Sequence, residues 1–453
     1  MTEATASVQQ GAGADGGGAA PSGGAASAGR GPVLRLSIMM FLQYAVWGAW
    51  LPVLSRYLSA PTADGGLGFD GGQIGWIIGT AMAVGAVVSP FLAGQIADRW
   101  FPTERFLAVS MVLGGALTWW LSYQTTYGMW LALSILNAVV FMPTLALSNS
   151  MAFAHLRNEE RDFPKVRVWG TIGWIAALWA FPMLWLQRDL GWQLMPPFFA
   201  GPEVAGVTGL LGASLRFSAM LAWVYALFCL TLPHTPPKRD GVESLAFAKA
   251  FRLFRMRSFG VLVLGSLVIA AIHQIYFIQT ATYLSALGVA DSSIGPATSI
   301  GQFSEIAVMA LLGWGLSRFG FRSVLTFGAL AYFARYLIWS VTDLPVELLV
   351  GSQFLHGVCY ACFFATAFIY VDKLAPADVR HSAQTVFGVI ILGLGPVLGG
   401  LLAQHLSQRY ALTDGLDYAG YWQVPAFLGL AAATLMLLAF RDETARDAAS
   451  TSS

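Results

Sequence analysis

Twelve stretches of this 453-residue chain are apolar over lengths that can cross a bilayer. A helix needs about 20 residues to span the ~30 Å hydrocarbon layer. Inside that layer each backbone N–H and C=O must be bonded within the protein, which leaves helices or closed barrels. The windows fall at about 33–58, 72–97, 104–123, 128–154, 165–187, 213–232, 258–287, 293–316, 323–341, 347–371, 382–408 and 421–440. Several exceed the minimum, so tilt or extension beyond the lipid is expected. The predicted fold is therefore all-α and integral to the membrane. With 56% of residues hydrophobic and only 11% charged, composition excludes an ordinary soluble enzyme.

Orientation follows from lysine and arginine. With the N-terminus inside, Arg56, Arg188, Arg216 and Arg409 fall outside and Arg335 within a span; all others of the 25 basic residues lie on the cytoplasmic side. That bias predicts both termini cytoplasmic. The longest basic connection, 233–257, separates six spans (33–232) from six (258–441). The run from Gly94 to Arg99 after the second span and the run from Gly313 to Arg318 after the eighth share a pattern: a small residue, then a basic one, then a tight turn. A repeated six-span half is how many transporters are built, with the binding site between the halves. Residues 1–32 and 442–453 are predicted to be disordered cytoplasmic tails, too poor in apolar residues to fold. The first of them lacks the apolar core of a signal peptide.

Other classes of function find no support. There is no basic block for nucleic acid. No lysine sits in a G-x-x-x-x-G-K-[ST] loop, and neither H-E-x-x-H nor G-x-S-x-G occurs. The glycine-rich run 393–400 lies inside a span and opens no strand-turn-helix unit. Cys229, Cys359 and Cys362 all fall in apolar runs, where packing is the expected role even for the C-x-x-C pair. No metal or prosthetic cofactor is expected.

The run from Ala297 to Phe319 carries Gln302 and Glu305 near mid-membrane. They are three residues apart and share one helix face. A carboxylate at that depth costs at least about 2.5–3.5 kcal/mol, so it faces a cavity or a partner; such groups mark pathways by default. The alternative is a structural glutamate held by a neighbouring helix. Other mid-span polar residues are Gln43, Tyr44, Thr80, Asn137, Thr171, His273, Gln274, Tyr276, Arg335 and His356. Gln274 lies at the centre of the span just before that of Gln302 and Glu305. Two amides and one acid, lined by Trp47, Trp50, Trp174, Tyr276 and Tyr360, suit a neutral polar ligand with a flat apolar face.

Several of these stretches together resemble the nucleoside–proton symporter family of the major facilitator superfamily. They are FLQYAVWGAW from Phe41, MPTL from Met142, DFP from Asp162, RVWGTIG from Arg167, TLPH from Thr231, QFSE from Gln302, LSRFG from Leu316 and SAQ from Ser382. The resemblance covers nearly all of the chain after its tail. It implies twelve transmembrane helices in two pseudo-symmetric six-helix bundles. It also implies that Arg167, Thr171, Gln274, Gln302 and Glu305 line a nucleoside site, with Tyr360 at an aromatic position of helix 10. Phe277 and Ala361 depart from the pattern, standing where an asparagine and an aspartate are expected.

The expected function is proton-coupled nucleoside uptake by alternating access in a bacterial cytoplasmic (inner) membrane, by a monomer in contact with lipid. The proton would load on Glu305, so that no charge is occluded with the ligand. Arg167 would hold ligand or an inner gate, or act simply as a positive-inside anchor. Two rival readings are a transporter of another polar metabolite such as a sugar, and a membrane sensor that binds ligand without moving it.

Overall fold

The computed structural model describes residues 30–92, 100–156, 159–196, 198–237, 251–376, 380–413 and 415–443. Its helices, in order, are α1 (Pro32–Ser59), α2 (Gly71–Pro90), α3 (Thr103–Leu121), α4 (Tyr127–His155), α5 (Asp162–Trp185), α6 (Val207–Cys229), α7 (Arg257–Ala286), α8 (291–319), α9 (321–339), α10 (Val346–Leu374), α11 (Ser382–Arg409) and α12 (Tyr418–Ala439). Among the described residues ten runs are long and apolar enough to cross a membrane, Asp291–Trp339 counting once and Thr103–Leu121 not among them, which is consistent with the twelve predicted spans. Helices α8 and α9 run without a loop through Asp291–Trp339, 49 residues. A straight helix of that length would reach about 70 Å, over twice the hydrocarbon thickness. The chain leaves helical conformation at Gly320 (φ 72, ψ 169), where the sequence LSRFG signals a turn and only glycine takes that φ without strain.

Helix α1 is broken at Trp50, just before Pro52. Helical backbone already begins at Arg30, two residues before this span and slightly ahead of the predicted boundary of the tail. Most of the predicted tails, the centre of the basic connection (238–250) and the Gly94–Arg99 run lie outside the described residues.

Large apolar side chains point away from the bundle, among them Leu227, Leu230, Leu311, Trp314 and Leu438, each more than 60% exposed. Water would not tolerate such a surface, so these side chains mark the lipid-facing side. Inside, α1 packs on α5 and α6, α2 on α4, and α3 on α6; in the second half α7 packs on α11 and α12, and α9 on α12. Between the halves α2 meets α11, α5 meets α8, and α1 meets α7. The second helix of each half thus pairs with the fifth of the other, the relation a pseudo-twofold axis between two six-helix bundles requires.

Polar contacts join the halves at one end. Arg56 at the end of α1 donates from Nε to Asp291 at the start of α8, 2.9 Å away. Thr208 of α6 donates to the other Asp291 oxygen at 2.7 Å. Gln187 after α5 donates to Ser292 at 2.6 Å, whose backbone N–H donates to Glu203. Beside them α2 and α11 touch backbone to backbone. A Cβ added at Gly75 would stand 2.7 Å from the carbonyl oxygen of Gly400, and one at Gly400 would stand 2.7 Å from that of Gly75. Small residues let membrane helices approach this closely.

Candidate functional site

Beyond that closure the halves separate around a central cavity of about 520 Å³. Arg167, Thr171, Gln274, Gln302, Glu305 and Tyr360 all line it, so the structure brings together the six residues that the resemblance implies for the site. The first half supplies Arg167, Thr171 and Trp174 from α5 and Tyr44 and Trp47 from α1. The second supplies Gln274 and Phe277 from α7, Gln302 and Glu305 from α8, and His356 and Tyr360 from α10. Helices α3, α6, α9 and α12 stand behind and contribute nothing to the lining.

Local sequence explains the placement. In RVWGTIG, a Cβ at Gly173 would collide with the Phe41 backbone, so its absence lets α5 lie against α1. The Arg167 guanidinium then rests 4.1 Å from the centre of the Tyr44 ring, a cation–π contact that holds it in place. Gly357 does the same for α10, where a Cβ would meet the backbone of Ser304 and Glu305. Ser304 fastens that contact by donating to the Phe354 carbonyl at 2.6 Å. Tyr360 opens a π-helical turn, Tyr360–Ala365. Such turns are frequent at functional sites.

The lining is chemically incomplete. Gln274 Nε2, Gln302 Oε1 and Trp174 Nε1 are buried and have no protein partner. Buried polar atoms are nearly always bonded, so each calls for a partner. Together they offer two donors and one acceptor, with the cation of Arg167 and the acid of Glu305 on opposite walls. Trp47 and Trp174 meet edge to face, ring centres 5.8 Å apart, and add flat apolar surface. The arrangement suits a neutral ligand with polar edges and planar faces.

Some expectations shift. Tyr276 lies outside the lining; its ring packs on Arg335 at 4.1 Å and on His356 at 4.6 Å. Trp50 lines a separate, smaller cavity. Phe277, the departure in α7, reaches the main cavity, whereas Ala361 is fully buried and does not. Cys229, Cys359 and Cys362 are free thiols in the packing. His273 and His356 line the cavity, a role the sequence left open for both; their mid-span position was the available signal. The link between Arg56 and Asp291 had none, since the two are 235 residues apart.

A twelve-helix membrane protein with a central cavity between two pseudo-symmetric halves, apolar with a few polar groups, is a secondary transporter of the major facilitator architecture. The chain belongs to the nucleoside H+ symporter family, whose profile matches residues 31–445. It is 35% identical over 422 residues to YegT of Escherichia coli K12, covering 90% of this chain and 93% of that one. It is 29% identical over 426 residues to the nucleoside permease NupG of the same organism, covering 88% and 95%. A crystal structure of the nucleoside transporter NupG superposes with a TM-score of 0.75 at 26% identity, covering 90% of this chain and 99% of that one.

Proposed function

We propose that this chain takes up nucleosides with protons by alternating access across a bacterial cytoplasmic membrane, with both termini inside and as a monomer surrounded by lipid. The halves 33–232 and 258–441 move against one another about the connection 233–257. The nucleoside binds to Arg167, Thr171, Gln274, Gln302, Glu305 and Tyr360, and the proton travels on Glu305 with no prosthetic cofactor. One observation carries this reading: unpartnered donors and an acceptor from both halves converge on one cavity beside a carboxylate.

The distribution of lysine and arginine puts the Arg56–Asp291 end outside. In this orientation the protein is closed outward, and its cavity extends toward Ser89 and Thr385 on the inner side. Uptake then runs from an outward-open form that lacks the closure. Glu305 binds a proton, the nucleoside follows, and the neutral load is occluded without the cost of a buried charge.

Accumulation in proteoliposomes tests the reading. Labelled uridine or adenosine should concentrate inside when the lumen is the more alkaline side, and a panel of unlabelled nucleosides should compete while maltose and free ribose do not. Competition by sugars alone would overturn the nucleoside assignment. Binding without accumulation would leave a sensor.

Two further outcomes are expected. Reporter fusions after Arg257 and Arg441 should read cytoplasmic, and fusions near Arg188 and Asp343 external; an external readout at Arg257 would break the six-plus-six arrangement. Arg167→Lys keeps the charge but loses the planar fork of donors and its ring contact. Nucleoside affinity should fall about tenfold while membrane insertion is retained. Uptake at the parental level would reduce Arg167 to an anchor.

A further inference from the structure

Arg335 is a cation inside the membrane, 0% exposed, on a helix that does not reach the cavity. No carboxylate pairs with it among the described residues. An aromatic box surrounds it instead: Tyr276 at 4.1 Å, Trp339 at 4.7 Å and Tyr336 at 5.5 Å from ring centre to guanidinium. Its Nη2 donates to Gln353 Oε1 at 2.9 Å, and its Nη1 lies 3.0 Å from His356 Nδ1.

That last contact has only one chemical solution. Arginine carries five N–H donors, accepts nothing and does not deprotonate. Nδ1 of His356 must therefore present its lone pair, which puts the ring proton on Nε2. Protonating Nδ1 would destroy the bond and bring two cations within 3.0 Å in a medium where like charges repel strongly. The imidazole is clamped between Tyr276 at 4.6 Å and His273 at 5.4 Å, centre to centre. His273 is held in turn by Tyr332, 2.8 Å from its Nδ1. His356 lines the cavity, and its Nε2 has no protein partner among the described residues.

Resting on the nucleoside reading above, we infer that Arg335 is a positioning residue that holds His356 as the neutral Nε2–H tautomer, and that this N–H donates to an acceptor atom of the nucleoside and so helps set which nucleosides are carried. It follows that His356 serves selection and does not carry the coupling proton. Arg335 itself touches no ligand and acts through the histidine.

Two measurements on the purified full-length protein test this separately. In ¹⁵N-histidine NMR, the resonances missing from His356→Phe should have the pattern of a neutral Nε2–H ring in the parent, and should change in Arg335→Met, which has no donor to offer. An imidazolium or Nδ1–H pattern in the parent would overturn the positioning role, whatever the ligand proves to be. In binding assays with uridine, cytidine, adenosine and inosine, His356→Phe should weaken at least one nucleoside about tenfold more than another, the scale of one lost hydrogen bond. His356→Gln restores both an acceptor for Arg335 and a donor for the cavity, and should recover most of that loss. Arg335→Met should reproduce the same ranking and add nothing to His356→Phe in the double variant. A uniform loss across all four nucleosides, or additive effects, would overturn the selective role. If the parent binds no nucleoside at all, the reading of the ligand fails, while the tautomer is still decided by the spectrum.

Discussion

In proteoliposomes, Glu305→Gln should exchange nucleoside across the membrane at a rate near the parent's and yet fail to concentrate it when a pH difference is imposed. The substitution keeps the volume and one acceptor oxygen of the carboxylic acid but carries no exchangeable charge. One unit of pH difference is worth about 1.4 kcal/mol per proton, enough to support about a tenfold gradient of nucleoside at one proton each. The accumulation ratio should therefore drop from about tenfold to about one, while counterflow against preloaded nucleoside persists. Among the described residues no other acidic side chain lines the cavity. A variant that still accumulates at the parental level would remove Glu305 from the coupling step.

Gly75→Leu should cut uptake about fivefold or more without preventing membrane insertion. Its side chain would enter a space where even a Cβ stands 2.7 Å from the Gly400 carbonyl oxygen. Overpacking of this kind costs about 1–3 kcal/mol. Because α2 and α11 need not touch when the cavity faces outward, the cost falls on the outward-closed form alone and shifts the population by about five- to 150-fold. A cysteine placed at Ser407, the α11 residue that faces Gly71, reports the change; the native thiols are buried. Labelling from outside by an impermeant maleimide should quicken in Gly75→Leu as uptake falls. Unchanged labelling together with unchanged uptake would mean that this contact is no part of the gate.

The spans and the turn at Gly320 were legible because the bilayer imposes a length and a polarity on every crossing segment. Part of the cavity lining was legible for a related reason: polar side chains are so costly at mid-membrane that Gln274, Gln302 and Glu305 stand out against the runs around them. The resemblance added Arg167, Thr171 and Tyr360, which composition could not distinguish from an anchor, a helix hydroxyl and one aromatic among many. What stayed hidden was pairing at a distance. Nothing local to Arg56 points to Asp291, and nothing local to Arg335 points to His356 rather than Glu305, because each partner is chosen by how helices pack. The π-helical turn at Tyr360 is equally silent, since a single extra residue per turn leaves no periodic trace in so uniformly apolar a segment.

Helices α5 and α8 belong to opposite halves and are tied by a hydrogen bond from Trp179 Nε1 to Ser299 Oγ at 3.0 Å. Arg167 lies twelve residues down α5 from that tie, about 18 Å along the axis at 1.5 Å per residue. If the tie acts as a pivot, a rotation of about 15°, of the order seen in other rigid-body transitions, displaces the Arg167 end of the lever by about 5 Å. Glu305 sits only six residues from Ser299 on α8 and would sweep roughly half that arc. The two walls of the cavity thus have unequal throws. On such a pivot the cationic wall would do most of the travelling, and the acidic wall would stay near the fulcrum.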